Sequence, residues 1–250
     1  MGEPFAGAQV ALVLPATTAD NLDVVLKIQW PHRESEHEAE ALEIWTGNGA
    51  VMLLDSDPEV HAMLLERCMP GSHLSTLDGD EALDVLIDLL PRLWVSGDAP
   101  IRTLTEEAAW WHENLEEWSQ RAGHPFSQQL LDAALEALRE LPASQGDQVL
   151  LHQDLHPDNV LAATREPWLA IDPKPLVGER EFSIAPIVRA YELDHTERSV
   201  RQRLDRLTAE LSLDRERARS WAMAQTVAWA VDGGEADPWH VQTAEWLLAS

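Results

Sequence analysis

At residues 151–161 the chain reads Leu-His-Gln-Asp-Leu-His-Pro-Asp-Asn-Val-Leu, a polar segment between two short apolar runs. The runs at 149–151 and 160–162 are predicted to be buried strands. Pro157 fixes its own φ and has no N–H to donate, so a regular strand cannot continue through the segment. The sequence therefore predicts a loop between two buried strands, a common position for catalytic side chains.

A second apolar run at 168–171 is expected to fold back on the first, because turn residues occupy 164–167. A hairpin centred on this turn would place Asn159 opposite Asp172. Such a pair could hold Mg²⁺ through oxygen atoms and leave coordination positions for phosphate oxygens. Asp154 lies five residues before Asn159. It is therefore close enough to orient a hydroxyl nucleophile at the same phosphate.

The composition is that of a soluble globular protein, with 250 residues, 45% hydrophobic and 25% charged. No apolar run approaches the ~20 residues that a membrane-spanning helix needs. The first residues, Met-Gly-Glu-Pro, do not have the pattern of a signal peptide. Cys68 is the only cysteine and cannot form an internal disulfide, so a cytoplasmic location is expected.

The chain is strongly acidic, with 18 basic against 44 acidic residues and a net charge of −26. This balance argues against nucleic acid or an anionic membrane as a partner. It suits a small cationic ligand, although an acidic surface kept for solubility explains it equally well. Only two lysines occur, Lys27 and Lys174, and both lie in motifs described here.

The first part of the chain is predicted to be an antiparallel sheet. Residues 9–14 and 24–30 have strand character and are separated by turn residues at 19–21. Two further strands are predicted at 51–54 and 62–66. We expect a small lobe of five strands and one helix.

The helix of this lobe is predicted at 33–45. Its apolar positions, which include Leu42 and Trp45, form a stripe that extends back at helical spacing to Glu38. A half-buried carboxylate needs a partner, and Lys27 is the nearest candidate. The alternative is that Lys27 is a solvated lysine on an edge strand.

From residue 80 onward the chain is predicted to be mainly helical, apart from the polar loop and its hairpin. Apolar residues recur at three- and four-residue steps in the segments 81–94, 105–120, 127–140 and 187–248. Within the last of these, 200–211 is expected to lie outside and 220–231 to be buried.

The polar loop and hairpin resemble a known family. An aspartate, an asparagine five residues later and an aspartate thirteen residues after that have the spacing of the eukaryotic-type kinase catalytic loop and metal-binding aspartate. Two sequence motifs are similar to those of the aminoglycoside phosphotransferases. They are His-Gln-Asp-Leu-His-Pro-Asp-Asn at 152–159 and Ile-Asp-Pro-Lys-Pro-Leu-Val-Gly-Glu at 171–179. More narrowly the chain resembles the streptomycin 6-kinase and hydroxyurea kinase branch, from about Pro4 to about Leu248.

This resemblance implies an α+β, two-lobed, protein-kinase-like fold. It implies a nucleotide-binding lobe at 1–68, with a small antiparallel sheet, and a larger helical lobe at 69–250 for catalysis and acceptor binding. Family members usually have further sequence before the first strand, so we expect this chain to be short at its N-terminus. A monomer or weak dimer is expected.

The resemblance also implies a phosphotransferase that uses ATP and Mg²⁺ to phosphorylate a hydroxyl of a small cationic molecule, such as a streptomycin-like aminoglycoside, and so confers antibiotic resistance. Asp154 would orient the hydroxyl and accept its proton. Lys27, held by Glu38, would position the nucleotide phosphates, and Asn159 and Asp172 would hold Mg²⁺.

Further contacts follow from the same resemblance. Gly7 would lie in the loop over the nucleotide phosphates, and backbone groups of Glu66 and Cys68 would bind adenine. Candidate contacts to the acceptor are His156, Glu192, Asp194, Asp232 and Asp237.

The sequence departs from the family at Ser183, where an aspartate usually braces the catalytic-loop backbone. Glu181 could substitute, or activity could be lower than in the family. Lys174 could be a charge facing phosphate or a structural contact.

Two other classes and another acceptor stay open. His152, Asp154, His156 and Asp158 alternate as metal ligands might, which would suit a metal hydrolase. A kinase fold that binds nucleotide without turnover is a third class. For the kinase itself, hydroxyurea or another small metabolite is the alternative acceptor.

Overall fold

The computed structural model describes residues 2–5, 10–97, 100–231 and 234–250. Within these ranges an antiparallel sheet precedes a mainly helical part, as the predicted α+β class requires. None of the helices described is both long and apolar enough to cross a membrane. The division of the chain into two lobes at residue 68 stays a prediction.

The sheet has the strand order β1-β2-β4-β3, with every neighbouring pair antiparallel. Its strands are β1 (Ala11–Thr17), β2 (Asp23–Gln29), β3 (Leu53–Asp57) and β4 (Ala62–Glu66). Lys27 lies opposite Val13 on one side and Met63 on the other. The lysine is therefore on a central strand, and the alternative of an edge strand is wrong.

The expectation of five strands is wrong for the part of the chain described, because this sheet contains four. Residues 2–5 run beside β1, but they make only two backbone hydrogen bonds to it. The Gly2 N–H donates to the Pro15 carbonyl and the Phe5 N–H to the Val13 carbonyl, each at 2.9 Å. Two isolated bonds do not make a strand ladder.

The third strand starts two residues later than predicted. The N–H of Val51 donates to the carbonyl of Ala170 at 3.0 Å, and the N–H of Ala170 donates to the carbonyl of Gly49 at 2.9 Å. The chain between the helix and β3 is therefore bonded to the hairpin of the helical part. This is why β3 begins only at Leu53.

The predicted helix at 33–45 is divided in two. A short 3₁₀ turn covers Arg33–Ser35, and the α-helix α1 covers Glu38–Trp45. Between them His37 has a φ of 67°, in the left-handed region, so the helix cannot be continuous. The stripe that includes Glu38 lies on α1 and is buried as predicted.

The helical part agrees closely with the predicted segments. Its helices are α2 (Gly79–Leu93), α3 (Leu104–Arg121), α4 (Gln128–Glu140), α5 (Ala185–Arg189), α6 (Glu197–Glu210), α7 (Arg215–Trp229) and α8 (Pro238–Leu248). Helix α7 is buried almost all round, as predicted. Helix α6 is not simply solvated, because Val200, Leu204 and Leu207 are fully buried on one face.

Two short antiparallel pairs frame the polar loop. Strand β5 (Gln148–Leu151) pairs with β8 (Leu176–Glu179), and β6 (Val160–Ala162) pairs with β7 (Trp168–Ala170). Strand β8 thus extends to Glu179, at the end of the segment 171–179 that carries the resemblance. Gly178 allows β8 to pack closely against α3, since a Cβ at this position would lie 2.6 Å from the Cβ of Leu104.

Aromatic contacts join the helices at the core. Phe182 stacks on Trp111 with ring centroids 6.1 Å apart and meets Trp221 edge to face at 5.3 Å. Trp45 of α1 donates its indole N–H to the carbonyl of Leu93 at 2.9 Å. This bond ties the helix beside the sheet to the end of α2.

A buried carboxylate anchors α7 against β8. Glu179 is 1% exposed. Both of its oxygens accept from the Arg217 Nε at 2.7 Å, and it also accepts from the Trp221 indole and from the Gly146 N–H. Removing one partner of such a buried pair leaves an uncompensated charge.

We predict that Arg217→Met lowers the free energy of unfolding by about 3–5 kcal/mol, the usual cost of breaking a buried pair. Arg215, on the same helix, pairs with the exposed Asp205 at 2.7 Å. Arg215→Met is therefore the matched control and should cost at most about 1 kcal/mol. Urea unfolding of the two variants and the parent measures both values. An equal loss in the two variants would contradict this account of Glu179.

Candidate active site

The polar loop after β5 is confirmed, and a 3₁₀ turn at Pro157–Asn159 closes it. Gln153 has a φ of 63°, so a non-glycine residue holds a left-handed conformation directly before Asp154. Three successive carbonyls of the loop accept hydrogen bonds, two from other parts of the chain and one from within the loop. These bonds are Lys174 N–H to His152 at 3.0 Å, Gln225 Nε2 to Gln153 at 3.2 Å, and Asn159 Nδ2 to Asp154 at 2.9 Å.

Asp154 is a buried carboxylate among cations. Its Oδ2 accepts from the ammonium of Lys174 and from Asn159 Nδ2 at 3.2 Å. Its Oδ1 lies 3.8 Å from an Arg189 nitrogen and 4.0 Å from His156 Nε2. Burial alone would raise the pKa of Asp154, but the charges of Lys174, His156 and Arg189 lower it below its ordinary value. The group is therefore ionised at neutral pH.

Lys27 lies between two carboxylates and is itself buried. Its ammonium donates to both oxygens of Glu38, at 2.8 and 2.7 Å, so the predicted pair forms. The same ammonium donates to Asp172. Burial would lower the pKa of Lys27, but Glu38 and Asp172 raise it above its ordinary value. For Asp172, Lys27 and Lys174 overcome burial and lower the pKa to about 2.

The hairpin is present, but its predicted register is wrong by one residue. Val160 lies opposite Ala170, and the Ile171 N–H donates to the Asn159 carbonyl at 2.9 Å. Asp172 follows with a φ of 55° and leaves the strand direction. Asn159 is thus opposite Ile171, and Asp172 lies one residue beyond the pair.

The residues at this end of the hairpin fit a magnesium ion held partly by phosphate. The Nδ2 group of Asn159 is used on Asp154, which leaves its Oδ1 for another partner. The Asp172 side chain is 46% exposed. Across the described residues no three His, Cys, Asp or Glu side chains group as a metal site. Two oxygen donors suit Mg²⁺, which usually takes one or two protein groups together with phosphates and water. They do not suit the metal-hydrolase alternative, which needs a ligand cluster.

Two of the acceptor candidates contact each other beside Asp154. His156 Nδ1 and Glu192 Oε1 are 2.6 Å apart, and the Glu192 side chain is almost wholly buried. Burial would lower the pKa of His156, but Glu192 and Asp154 raise it. Glu192 is therefore paired with a histidine rather than open to solvent.

The other acceptor candidates have local contacts. Asp194 accepts hydrogen bonds from the Thr196 and Ser199 hydroxyls at the start of α6, and Asp237 accepts the Trp239 N–H at the start of α8. The predicted contacts Gly7 and Asp232 lie outside the described residues.

The segment predicted to bind adenine follows β4. The Glu66 side chain accepts from the Met52 N–H at 3.1 Å and from Arg165 at 2.9 Å. Cys68 is buried, and burial raises the pKa of its thiol to about 12, so it is a packing residue rather than a nucleophile. The backbone contacts of these two residues to adenine stay a prediction.

Ser183 does not brace the catalytic loop. Its hydroxyl donates to the Arg180 carbonyl at 2.6 Å and accepts from the Trp94 indole at 3.2 Å. Glu181 does not substitute for it, since its carboxylate accepts from the Asp214 N–H at 3.4 Å.

Lys174, Arg189 and Gln225 contact the loop instead. For Lys174 the alternatives were a charge facing phosphate and a structural contact. In this structure its ammonium makes a contact, to the carboxylate of Asp154. Sequence reasoning did not identify Arg189 or Gln225. The sequence signal that could have identified them is a strongly polar side chain within an otherwise apolar run. Arg189 lies in such a run at 187–190, and Gln225 lies in one at 221–231.

Sequence comparisons identify relatives of this chain. A family model described as aminoglycoside/hydroxyurea antibiotic resistance kinase matches residues 2–235. The hydroxyurea phosphotransferase of Kitasatospora aureofaciens is 42% identical, over 93% of this chain and 69% of that protein. The streptomycin 6-kinase of Streptomyces glaucescens is 40% identical, over 97% of this chain and 82% of that protein.

A solved structure with the same fold is the choline kinase of Streptococcus pneumoniae, with a TM-score of 0.66 and 16% identity. The similarity covers 99% of this chain and 92% of that one. That protein has also been solved in complex with AMP. At this identity the likeness concerns the fold alone, and it confirms the two-lobed, protein-kinase-like architecture.

His152 anchors the loop and gives it a pH dependence. Its Nε2 donates to the Ile171 carbonyl at 2.9 Å, and its ring stacks on Trp45 with centroids 6.1 Å apart. Burial lowers the pKa of His152 from 6.5 to about 4. Because the folded value is depressed, the unfolded chain binds more protons between these values, and stability falls as the pH drops through this window.

We predict that the titration of His152 lowers the free energy of unfolding by roughly 3 kcal/mol between neutral pH and about pH 4. This value follows from the difference between its unfolded and folded pKa values. His152→Gln keeps a donor near the Ile171 carbonyl and removes the titration. Its free energy of unfolding, measured with urea from about pH 7.5 to 4.5, should fall less steeply than that of the parent. The difference at the upper pH gives the pH-independent cost of the substitution. Parallel curves for the two proteins would show that His152 is not buried in the neutral form.

Proposed function

The chain belongs to the aminoglycoside/hydroxyurea antibiotic resistance kinase family, and we propose that it transfers the γ-phosphoryl group of ATP to a hydroxyl of a streptomycin-like aminoglycoside. The observation that carries this proposal is the charge network across the hairpin. Glu38, Lys27 and Asp172 are linked on one side, and Lys174 is paired with Asp154 on the other. The only two lysines of an acidic chain both lie in it.

The nucleotide side of the reaction is assigned to Lys27, Asn159 and Asp172. Lys27 is fixed by Glu38 and would contact the nucleotide phosphates. Asn159 and Asp172 would hold Mg²⁺, which when bound neutralises the charge of the phosphates during transfer. Adenine would be bound by backbone groups of Glu66 and Cys68. Because ATP is the donor, we propose that the protein works in the cytoplasm.

The acceptor side is assigned to Asp154. The carboxylate is ionised because its cationic neighbours lower its pKa. It can therefore orient the acceptor hydroxyl and take its proton as the phosphoryl group moves. Catalysis of this kind rests mainly on positioning and charge neutralisation.

The choice of acceptor rests on charge. Streptomycin carries positive groups, and a chain with a net charge of −26 attracts cations through its summed field. Hydroxyurea is neutral and is the second candidate, favoured by the 42% identity to a hydroxyurea phosphotransferase. The two candidates differ in their response to salt, because only attraction to a cation is screened.

We predict that the protein phosphorylates streptomycin with MgATP, and that kcat/KM for streptomycin falls by about tenfold or more between low and high salt as the field is screened. Phosphorylation of hydroxyurea, measured in the same series with saturating nucleotide, should change little. Turnover of hydroxyurea alone would reject the aminoglycoside as acceptor. Turnover of neither compound would reject the proposed acceptor class.

A second prediction separates the base from the metal ligand. Asp154→Asn should reduce turnover by about 10²–10⁴-fold, the usual contribution of a positioned base. It should leave MgATP binding nearly unchanged. Asp172→Asn removes a charge from the metal site and should weaken MgATP binding as well. Turnover with streptomycin and titration calorimetry with MgATP measure the two effects. A fully active Asp154→Asn variant is incompatible with the assigned role.

A further inference from the structure

Two side chains of helix α7, one turn apart, contact the catalytic loop or the Arg189 side chain beside it. Gln225 is fully buried, and its amide donates to the Gln153 carbonyl at 3.2 Å. The amide oxygen of Gln225 accepts from Arg189 at 2.5 Å. Trp229, four residues further along α7, lies under the Arg189 guanidinium, whose centre is 4.3 Å from the ring centroid.

Arg189 extends this contact to the catalytic aspartate. It is buried on α5, and one of its nitrogens lies 3.8 Å from Asp154 Oδ1. A buried guanidinium is costly unless its charge and its donors are compensated. Here the Gln225 amide, the Trp229 ring and the Asp154 carboxylate share that compensation. The position of Arg189 is thus fixed by α7.

The loop needs such support at the residue before Asp154. Gln153 holds a left-handed φ of 63°, a conformation that persists in a non-glycine residue only when its surroundings enforce it. Within the described part of the chain, neither atom of its side-chain amide has a hydrogen-bond partner. Its own side chain therefore forms no hydrogen bond that would hold this turn, whereas Gln225 donates one to its carbonyl.

We propose that Gln225 and Arg189 are positioning residues for Asp154. Gln225 fixes the Gln153 carbonyl and orients Arg189, and Arg189 restrains the Asp154 carboxylate. The pair thereby does the bracing that Ser183 does not do. The assignment rests on the proposed function only for the role of Asp154, and the order of the loop can be measured without any acceptor.

The first test is hydrogen–deuterium exchange of the full-length protein without ligands. Gln225→Met keeps the length of the side chain and removes both hydrogen bonds. The matched control is Thr226→Val, because Thr226 is equally buried on the same helix and its hydroxyl donates only within α7, to the Ala222 carbonyl at 2.6 Å.

Amides of 152–159 should exchange about tenfold faster in Gln225→Met and within about twofold of the parent in Thr226→Val, since local opening is governed by local contacts. Exchange that is unchanged in Gln225→Met, or raised equally in both variants, would overturn the proposal. Should Gln225→Met not fold, Gln225→Asn keeps the amide but is one methylene too short for the Gln153 carbonyl. It should raise exchange in the same segment.

The second test is kinetic and uses streptomycin, with hydroxyurea as the alternative acceptor. We expect kcat of Gln225→Met to fall by about tenfold and KM for MgATP to change by less than about twofold, because a misplaced base affects the chemical step. Thr226→Val should keep the parental kcat. A general loss of stability would instead reduce both variants alike.

A combined variant tests whether the two residues act as one unit. Arg189→Lys with Gln225→Met should be no slower than the slower single variant, since residues in one contact chain are not additive. If the losses of turnover in the two single variants multiplied in the double variant, the residues would act separately, which would contradict the proposal. If the parent phosphorylates neither compound, the proposed acceptor is wrong, and the exchange experiment alone decides the positioning role.

Discussion

The arrangement of the site depends on the burial of one ammonium group, that of Lys27. On the central strand β2 this lysine is 5% exposed, and it contacts Glu38 of α1 and Asp172 at the end of the hairpin. A buried charge without partners would cost several kcal/mol, so both carboxylates must reach it. The sheet, α1 and the hairpin are therefore held in one mutual position, and the backbone bonds of residues 49–51 to Ala170 reinforce it.

The same constraint recurs at Asp154. Its carboxylate is buried, and the cations around it come from separate segments: Lys174 after the hairpin, Arg189 on α5 and His156 in the loop itself. Each cation keeps the carboxylate ionised, and each is held by contacts of its own. A carboxylate that is both charged and buried requires this compensation. The low pKa of Asp154 and its fixed position therefore have one cause.

The parts that could be predicted are those encoded by local spacing. The intervals between Asp154, Asn159 and Asp172 identified the loop, and the helical stripe ending at Glu38 identified the partner of Lys27. The register of the hairpin could not be predicted, because it depends on the length of the turn, and Ala163 extends the expected turn at 164–167 by one residue. Nor could the contact from Gln225 to Gln153, since it joins residues 72 apart in the chain and no periodicity relates them. The buried face of α6 was missed because its many charges concealed a regular apolar stripe.

The brace on the catalytic loop is neutral, and this has an electrostatic consequence. Gln225 donates a hydrogen bond to the Gln153 carbonyl without bringing a charge near Asp154. A carboxylate in its place would lie within reach of Arg189 and would compete with Asp154 for the guanidinium. It would also add another anion to a site that is proposed to admit the phosphates of a nucleotide. With an amide as the brace, the charge of Arg189 remains directed at Asp154. The loop is then restrained without an additional negative charge to repel the nucleotide phosphates.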